Sequence, residues 1–258
     1  GDSPERLATT GGSMNGFMAK RAEFIGRAAH AGAQPEKGVN ALSAASLALQ
    51  AIHAQRESFV ENDHIRVHPI LTQGGTVVNS VPDRAVLETY IRGASHEAVL
   101  AAAAKVDRAL RAGALALGAG LRIANTPGYQ AFDPDPALGA VLGGAAAAVI
   151  DKSSIDFDYH SYASDDIGDV ACLQPTCQLR YSGFSGDIHA DDFIARDPER
   201  AYLKPAEILL RTVVALGADK GAGARKILAG FTPRFPVSGY LASLDHLFST
   251  LEYPGEAL

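Results

Sequence analysis

The sequence predicts an α/β (α+β) protein: one antiparallel sheet with two helices on the same face, followed by a less regular α/β region. Three observations point there. Four segments between residues 17 and 129 alternate apolar and polar side chains with period two. Two Ala-rich segments among them repeat apolar residues at helical spacing. Beyond residue 130 the alternation gives way to a Gly/Ala helix and a stretch crowded with Asp, Ser and Tyr.

In order, Phe17–Arg27 is expected as a strand, with Ala22, Phe24 and Gly26 alternating against charged neighbours. The loop "AHAGAQPEKG" follows, punctuated by Pro35 and Gly38. Leu42, Ala45, Leu49 and Ile52 predict a helix over Val39–Glu57. His64–Gly74 and Arg84–Arg92 are the second and third strands, joined by a Gly-rich connection expected to hold a short strand. A long helix over His96–Leu117 is capped by Ser95. Leu121–Tyr129 is the fourth strand. The order β-α-β-β-α-β is that of a ferredoxin-like unit. Such a sheet leaves an edge in need of cover or a partner. Further on, helices are expected over Asp135–Ile150 and Tyr202–Gly217, with a short one near Leu241–Leu251.

Composition narrows the function classes. The 258 residues carry a formal net charge of −6, which argues against a nucleic-acid or anionic-membrane partner, since both need a basic face. No apolar run approaches a membrane span, and the first residues hold no apolar stretch of signal-peptide kind. Two cysteines, Cys172 and Cys177, form no disulfide framework; buried thiols and a cytoplasmic location are expected. No phosphate loop, Gly-x-Gly-x-x-Gly, Gly-x-Ser-x-Gly or His-Glu-x-x-His is present.

A few residues could carry chemistry, and each also has an ordinary structural explanation. His30 could simply bond a nearby carbonyl in its loop. Asn79 sits in a Gly-Gly-x-x-x-Asn turn, a common place for Asn, and Arg92 ends a strand. His189 lies in "SGDIHADDF" among Asp187, Asp191 and Asp192, where a neutral imidazole amid carboxylates could ligate zinc or manganese. One His with loosely spaced acids is no metal motif by itself.

Taken together and in order, "FIGRAAHAGAQPEKGVNAL", "TQGGTVVNSVPDRAVLETYIRG", "SDDIGDV" and "GDIHADDF" resemble the M20 family of metal-dependent amidohydrolases, in its aminoacylase, aminobenzoyl-glutamate hydrolase and indole-acetyl-amino-acid hydrolase branch. The resemblance runs from about Phe17 to Leu216. It implies a β-α-β-β-α-β lid or dimerisation domain at residues 17–130, inserted in a zinc-peptidase-like catalytic domain. Residues 1–16 would then be a lead-in from that catalytic domain and 131–258 its C-terminal part. The resemblance also implies residue roles. His30 would enter the partner's site as an oxyanion donor, Asn79 and Arg92 would bind the substrate carboxylate, and His189 would be a metal ligand. The implied reaction is metal-dependent hydrolysis of the amide of an N-acyl amino acid or similar carboxylate-bearing amide, in a homodimer joined through residues 17–130, with a dinuclear zinc or manganese site.

The family's first catalytic segment, with its ligand pair, bridging acid and general-base Glu, has no counterpart in this sequence, and its Ser-Thr-Asp motif is altered to Ser164-Asp165-Asp166. The chain is therefore expected to resemble the C-terminal portion of such an enzyme and to be inactive alone, possessing one ligand and no bound metal of its own. The alternative expectation is a non-catalytic dimerisation module that works only with a separate catalytic chain.

Overall fold

Strands of ten residues with every second side chain buried form the backbone of the fold. The computed structural model describes residues 8–256; the first seven residues of the expected lead-in lie outside them. In chain order the elements are β1 (Ala8–Thr9), β2 (Gly12–Met14), β3 (Gly16–Ile25), α1 (Ala41–Ala54), β4 (Arg66–Gln73), β5 (Arg84–Gly93), α2 (His96–Ala116) and β6 (Gly120–Pro127). Then come α3 (Pro136–Ala147), β7 (Ile155–Asp156), β8 (Tyr159–Ser161), α4 (Ile167–Ala171), β9 (Arg180–Tyr181), β10 (Phe184–Ser185) and β11 (Ile194–Ala195). The last are α5 (Lys204–Gly230), α6 (Val237–Leu247) and β12 (Ser249–Tyr253). They fall into two units. One comprises residues 15–131, 162–164 and 237–256; the other comprises 8–14, 132–161 and 165–236.

The first unit is a five-stranded sheet in the order β12-β6-β3-β5-β4, antiparallel throughout. Along β3 the residues Met18, Lys20, Ala22 and Phe24 face inward. The apolar ones meet Ala41, Ala44, Ala45, Ala48 and Ile52 of α1 and Val99, Ala102, Val106 and Leu110 of α2 in one core. The opposite face is solvated and carries ion pairs such as Arg21–Glu23, Arg21–Glu88 and Arg122–Glu252. This alternation is why the sequence shows period two, and why both helices share one face. Asn40 and Ser95 cap the helices by accepting bonds from Ser43 N (2.9 Å) and Ala98 N (3.1 Å).

The helices are Ala-rich because they pack against each other at close range. A Cβ added to Gly113 of α2 would lie 2.4 Å from the Ala44 carbonyl oxygen and 2.6 Å from the Ala48 nitrogen. Only glycine fits there.

Two sequence expectations differ from the structure. The connection from residue 74 to 83 holds turns and one isolated bridge rather than a short strand. Thr76–Val78 is rich in β-branched residues, but among the described residues no strand pairs with it, and Val78 is fully exposed. The helix expected near Leu241–Leu251 stops at Leu247, and the chain continues as β12 along β6.

The second unit is built from very short strands: β1 pairs in parallel with β7 and antiparallel with β9, β2 pairs in parallel with β8, and β10 pairs with β11. Its core joins Leu142, Ala146, Ile150, Ile155 and Ile208. Asp135 caps α3 through Leu138 N (2.7 Å). Helix α5 is broken at Ala218–Gly221, where Asp219, Lys220 and Gly221 adopt positive φ. No helix among the described residues is long and apolar enough to cross a membrane.

Replacing Gly113 with Ala tests the helix contact. Helix propensity alone would favour Ala by about 1 kcal/mol. Overpacking against α1 is expected to reverse the sign, for a net loss of about 1–3 kcal/mol. Denaturant unfolding reads this directly; a gain in stability would contradict the close packing of α1 on α2.

Candidate functional site

His30 and Asn79 are brought together by main-chain pairing between two loops. Ala31 N donates to the Asn79 carbonyl (2.9 Å) and Val81 N to the Ala29 carbonyl (2.9 Å), so His30 bridges Ser80 in antiparallel fashion. Gly26 N donates to the Asp83 carbonyl (2.7 Å), extending the ladder to the end of β3. Both loops are surface features held by a rigid sheet end, the usual place for binding residues.

The imidazole of His30 is oriented by its own loop. Gly32 N and Ala33 N both point at Nδ1, at 3.2 and 3.1 Å. Two backbone donors on one ring nitrogen make it the acceptor, so the neutral ring carries its proton on Nε2. His30 is exposed, and Nε2–H is left to act as a donor toward whatever meets the loop. Val77 and Val78, just before Asn79, are also exposed.

Arg92 sits at the other end of the same sheet. The register pairs Arg84 with Ile25 but Arg92 with Phe17. Arg84 and Arg92 are thus about 27 Å apart along β5 at roughly 3.4 Å per residue. His30 and Asn79 extend from the Arg84 end, so one chain does not unite them with Arg92. The Arg92 guanidinium donates from Nη1 to Ser164 Oγ (2.9 Å) and lies 5.6 Å from the Phe17 ring and 5.9 Å from the Tyr90 ring. Arg66 is directly opposite on β4, with its guanidinium 4.0 Å above Tyr162. Two guanidinium forks thus share one end of the sheet, an arrangement suited to an anion. The sequence does not single out Arg66, and it marks Ser164 only as part of the altered motif, not as a partner of Arg92. Cross-strand register places the first beside Arg92, and the second is 72 residues away from it along the chain.

His189 occupies a tight turn in the second unit with φ of 72°, a left-handed conformation uncommon outside glycine. Its neighbours serve the turn: Ala190 N donates to the Asp187 carbonyl (3.0 Å) and Asp187 N to Asp192 Oδ1 (3.3 Å). Among the described residues no group of three or more His, Cys, Asp or Glu could hold a metal ion. The described donors therefore do not fit a dinuclear centre by themselves. At the altered motif, a hydrogen bond and then the charge of Asp165 push the Asp166 carboxyl above the usual carboxylate range. Burial, followed by the charge of Asp135, pushes the Cys177 thiol up to about 11, and burial raises Cys172 too. Neither thiol is a nucleophile at neutral pH. His160, also unmarked in the sequence, shares a 2.8 Å hydrogen bond between Nδ1 and Ser13 Oγ, made possible by the parallel pairing of β2 and β8.

Known proteins share parts of this chain. Residues 13–117 match the family model of the M20 peptidase dimerisation domain. The chain is 37% identical to one of the subunits of p-aminobenzoyl-glutamate hydrolase of Escherichia coli (strain K12) over 141 residues, 54% of this chain and 32% of that protein. It is 36% identical to mouse (Mus musculus) Xaa-Arg dipeptidase over 96 residues, 37% of this chain and 22% of that one. Among solved structures, aminopeptidase PepT from Bacillus cereus superposes with a TM-score of 0.63 at 22% identity, over 82% of this chain and 55% of that one. A hydantoinase/carbamoylase-family amidase from Burkholderia vietnamiensis gives 0.64 at 19%, over 81% and 50%. These last two show the fold. The matches span a third or less of the curated relatives' length and about half that of the solved chains.

The tautomer of His30 is directly measurable. Nitrogen-15 NMR of the neutral ring is expected to show the proton on Nε2, with Nδ1 as acceptor. A proton on Nδ1 would mean that Gly32 and Ala33 do not orient the ring.

Proposed function

We propose that this chain, which carries an M20 peptidase dimerisation domain and resembles the M20 amidohydrolases, forms part of a metal-dependent enzyme that hydrolyses the amide of an N-acyl amino acid or a similar carboxylate-bearing amide. The observation that carries the reading is the division of the site residues between the two ends of one sheet. Such a pair becomes one site when a second copy of the chain brings its His30 loop to the Arg92 end of the first.

In that composite site the Nε2–H of His30 donates to the oxygen of the scissile carbonyl. A donor of this kind strengthens as negative charge develops and is worth about 2.7–4 kcal/mol. Arg92 holds the substrate carboxylate through its planar fork, and the Asn79 amide adds a neutral donor. We assign zinc or manganese as the cofactor of the complete enzyme and His189 as a ligand from this chain. The other ligands and the general base would come from residues outside this chain, which we take to be inactive by itself. A cytoplasmic location fits its two free, buried or half-buried thiols.

Homodimerisation through the first unit is supported by the apolar side chains at one of its sheet edges. Strand β4 is outermost, and it exposes Ile70 and Leu71, while α1 exposes Leu47. An isologous strand pair there would cover these side chains.

A second reading, a non-catalytic dimerisation module serving a separate catalytic chain, is favoured by one feature. Helix α5 buries Pro205, Ile208 and Thr212 but exposes Leu209, Leu210, Val213 and Val214 on its other side. An apolar stripe this broad marks a surface built to be covered. Metal content after dialysis against zinc and manganese tests the incomplete ligand set that both readings share. No ion retained is the expected result; one or two ions per chain would mean that this chain holds a metal centre of its own and would contradict both.

In the assembled enzyme acting on N-acyl amino acids, His30→Ala is expected to lower kcat by roughly 10²–10³ with little change in KM. Arg92→Ala is expected to act mainly on KM, because a carboxylate clamp binds ground state and transition state alike. Steady-state kinetics check both, and an unchanged kcat for His30→Ala would refute its role as oxyanion donor.

A further inference from the structure

The segment after residue 236 lies outside the residues that match the dimerisation domain, yet it completes that domain's sheet. Strand β12 runs antiparallel to β6 with Ser249 opposite Asn125, Leu251 opposite Ile123 and Tyr253 opposite Leu121. These three alternate residues have distinct receptors. Leu251 and Tyr253, together with Leu247 at the end of α6, pack against the main core. Arg111 of α2 stands 4.5 Å over the Tyr253 ring. Ser249 Oγ accepts from Asn125 Nδ2 at 2.9 Å.

That last bond is prepared from inside the domain. Lys20, 3% exposed, donates to Asn125 Oδ1 at 2.6 Å and pairs with Asp107 of α2 at 2.8 Å. Because the ammonium claims the amide oxygen, the Asn125 NH2 must face the neighbouring strand position and needs an acceptor there. A serine hydroxyl supplies it. Past Tyr253 the chain closes over the end of α2. Glu256 N donates to the Gly118 carbonyl (3.1 Å), and a Cβ on Gly255 would lie 2.8 Å from Gly120 N and 2.9 Å from the Gly118 oxygen. The edge thus reads a pattern of hydroxyl, aliphatic, aromatic and glycine at fixed spacing, as strand-addition sites do.

We propose that the outer edge of β6 is a strand-binding site for an extended Ser-x-Leu-x-Tyr-Pro-Gly segment. It is filled in cis by residues 249–255, and β12 in turn becomes the outermost strand on that side of the sheet.

The test uses the folded full chain. A protease recognition sequence is inserted within residues 231–236 and cut after purification. The fragment 237–258 should remain bound on gel filtration, and excess synthetic peptide of residues 237–256 should displace it. A peptide carrying Leu251→Asp should not displace it, and one carrying Ser249→Ala should compete roughly tenfold less well. Loss of the fragment on cutting, or equal competition by the wild-type and Leu251→Asp peptides, would overturn the binding site.

Discussion

The antiparallel register of β3 and β5 decides where everything else in this molecule can act. Ile25 pairs with Arg84 and Phe17 with Arg92, in one unbroken ladder. A slip by one residue would turn Ala22 and Phe24 out of the core and bring the charged face in, so burial pins the register. Once pinned, it sends the His30 and Asn79 loops to one end and the Arg92–Arg66 pair to the other. In the proposed function these are two halves of a carboxylate- and carbonyl-binding set that one chain does not close, and a second copy pairing at the β4 edge would close it.

Two further constraints hold the frame. The small residues between α1 and α2 let the two helices lie close together over the sheet, with Gly113 set against the backbone of Ala44 and Ala48. The second is Lys20, an ammonium taken from water and kept by Asp107 and Asn125. Burial lowers its pKa, while the hydrogen bond and the charge of Asp107 raise it in opposition. Such a group is tolerated because it is paired and hydrogen-bonded, and here that bonding orients the amide that receives β12.

Much of the first unit is legible in the sequence because burial on one face writes itself as period two in strands and as helical spacing in helices. The four long strands, both helices and the Ser95 cap follow from that. The features that are not legible depend on partners far along the chain. In the tail, Leu244, Leu247 and Leu251 fit a helix, but Ser249, Leu251 and Tyr253 also fit a strand, and the waiting edge of β6 decides between them. Thr76–Val78 has strand-forming residues, but among the described residues no strand pairs with it, so it stays outside the sheet. At the site, motifs mark His30 and Asn79, whereas their hydrogen-bonded union, the Arg66–Arg92 opposition and the Ser13–His160 contact come only from tertiary pairing. For His189, a residue type and nearby acids are visible in the sequence, but the left-handed turn that uses those acids is not.

If the site is shared, catalysis needs His30 from one copy and Arg92 from another. The most direct measurement mixes assembled enzyme carrying His30→Ala with enzyme carrying Arg92→Ala and allows the chains to exchange. At substrate concentrations below KM, each variant alone should be nearly inactive. With random pairing in a closed two-fold dimer, half of the exchanged dimers recover one intact site of two, and activity should return to about a quarter of wild type. No recovery after demonstrated exchange would mean that both residues serve a site within one chain, and the division of the site between two copies would be wrong.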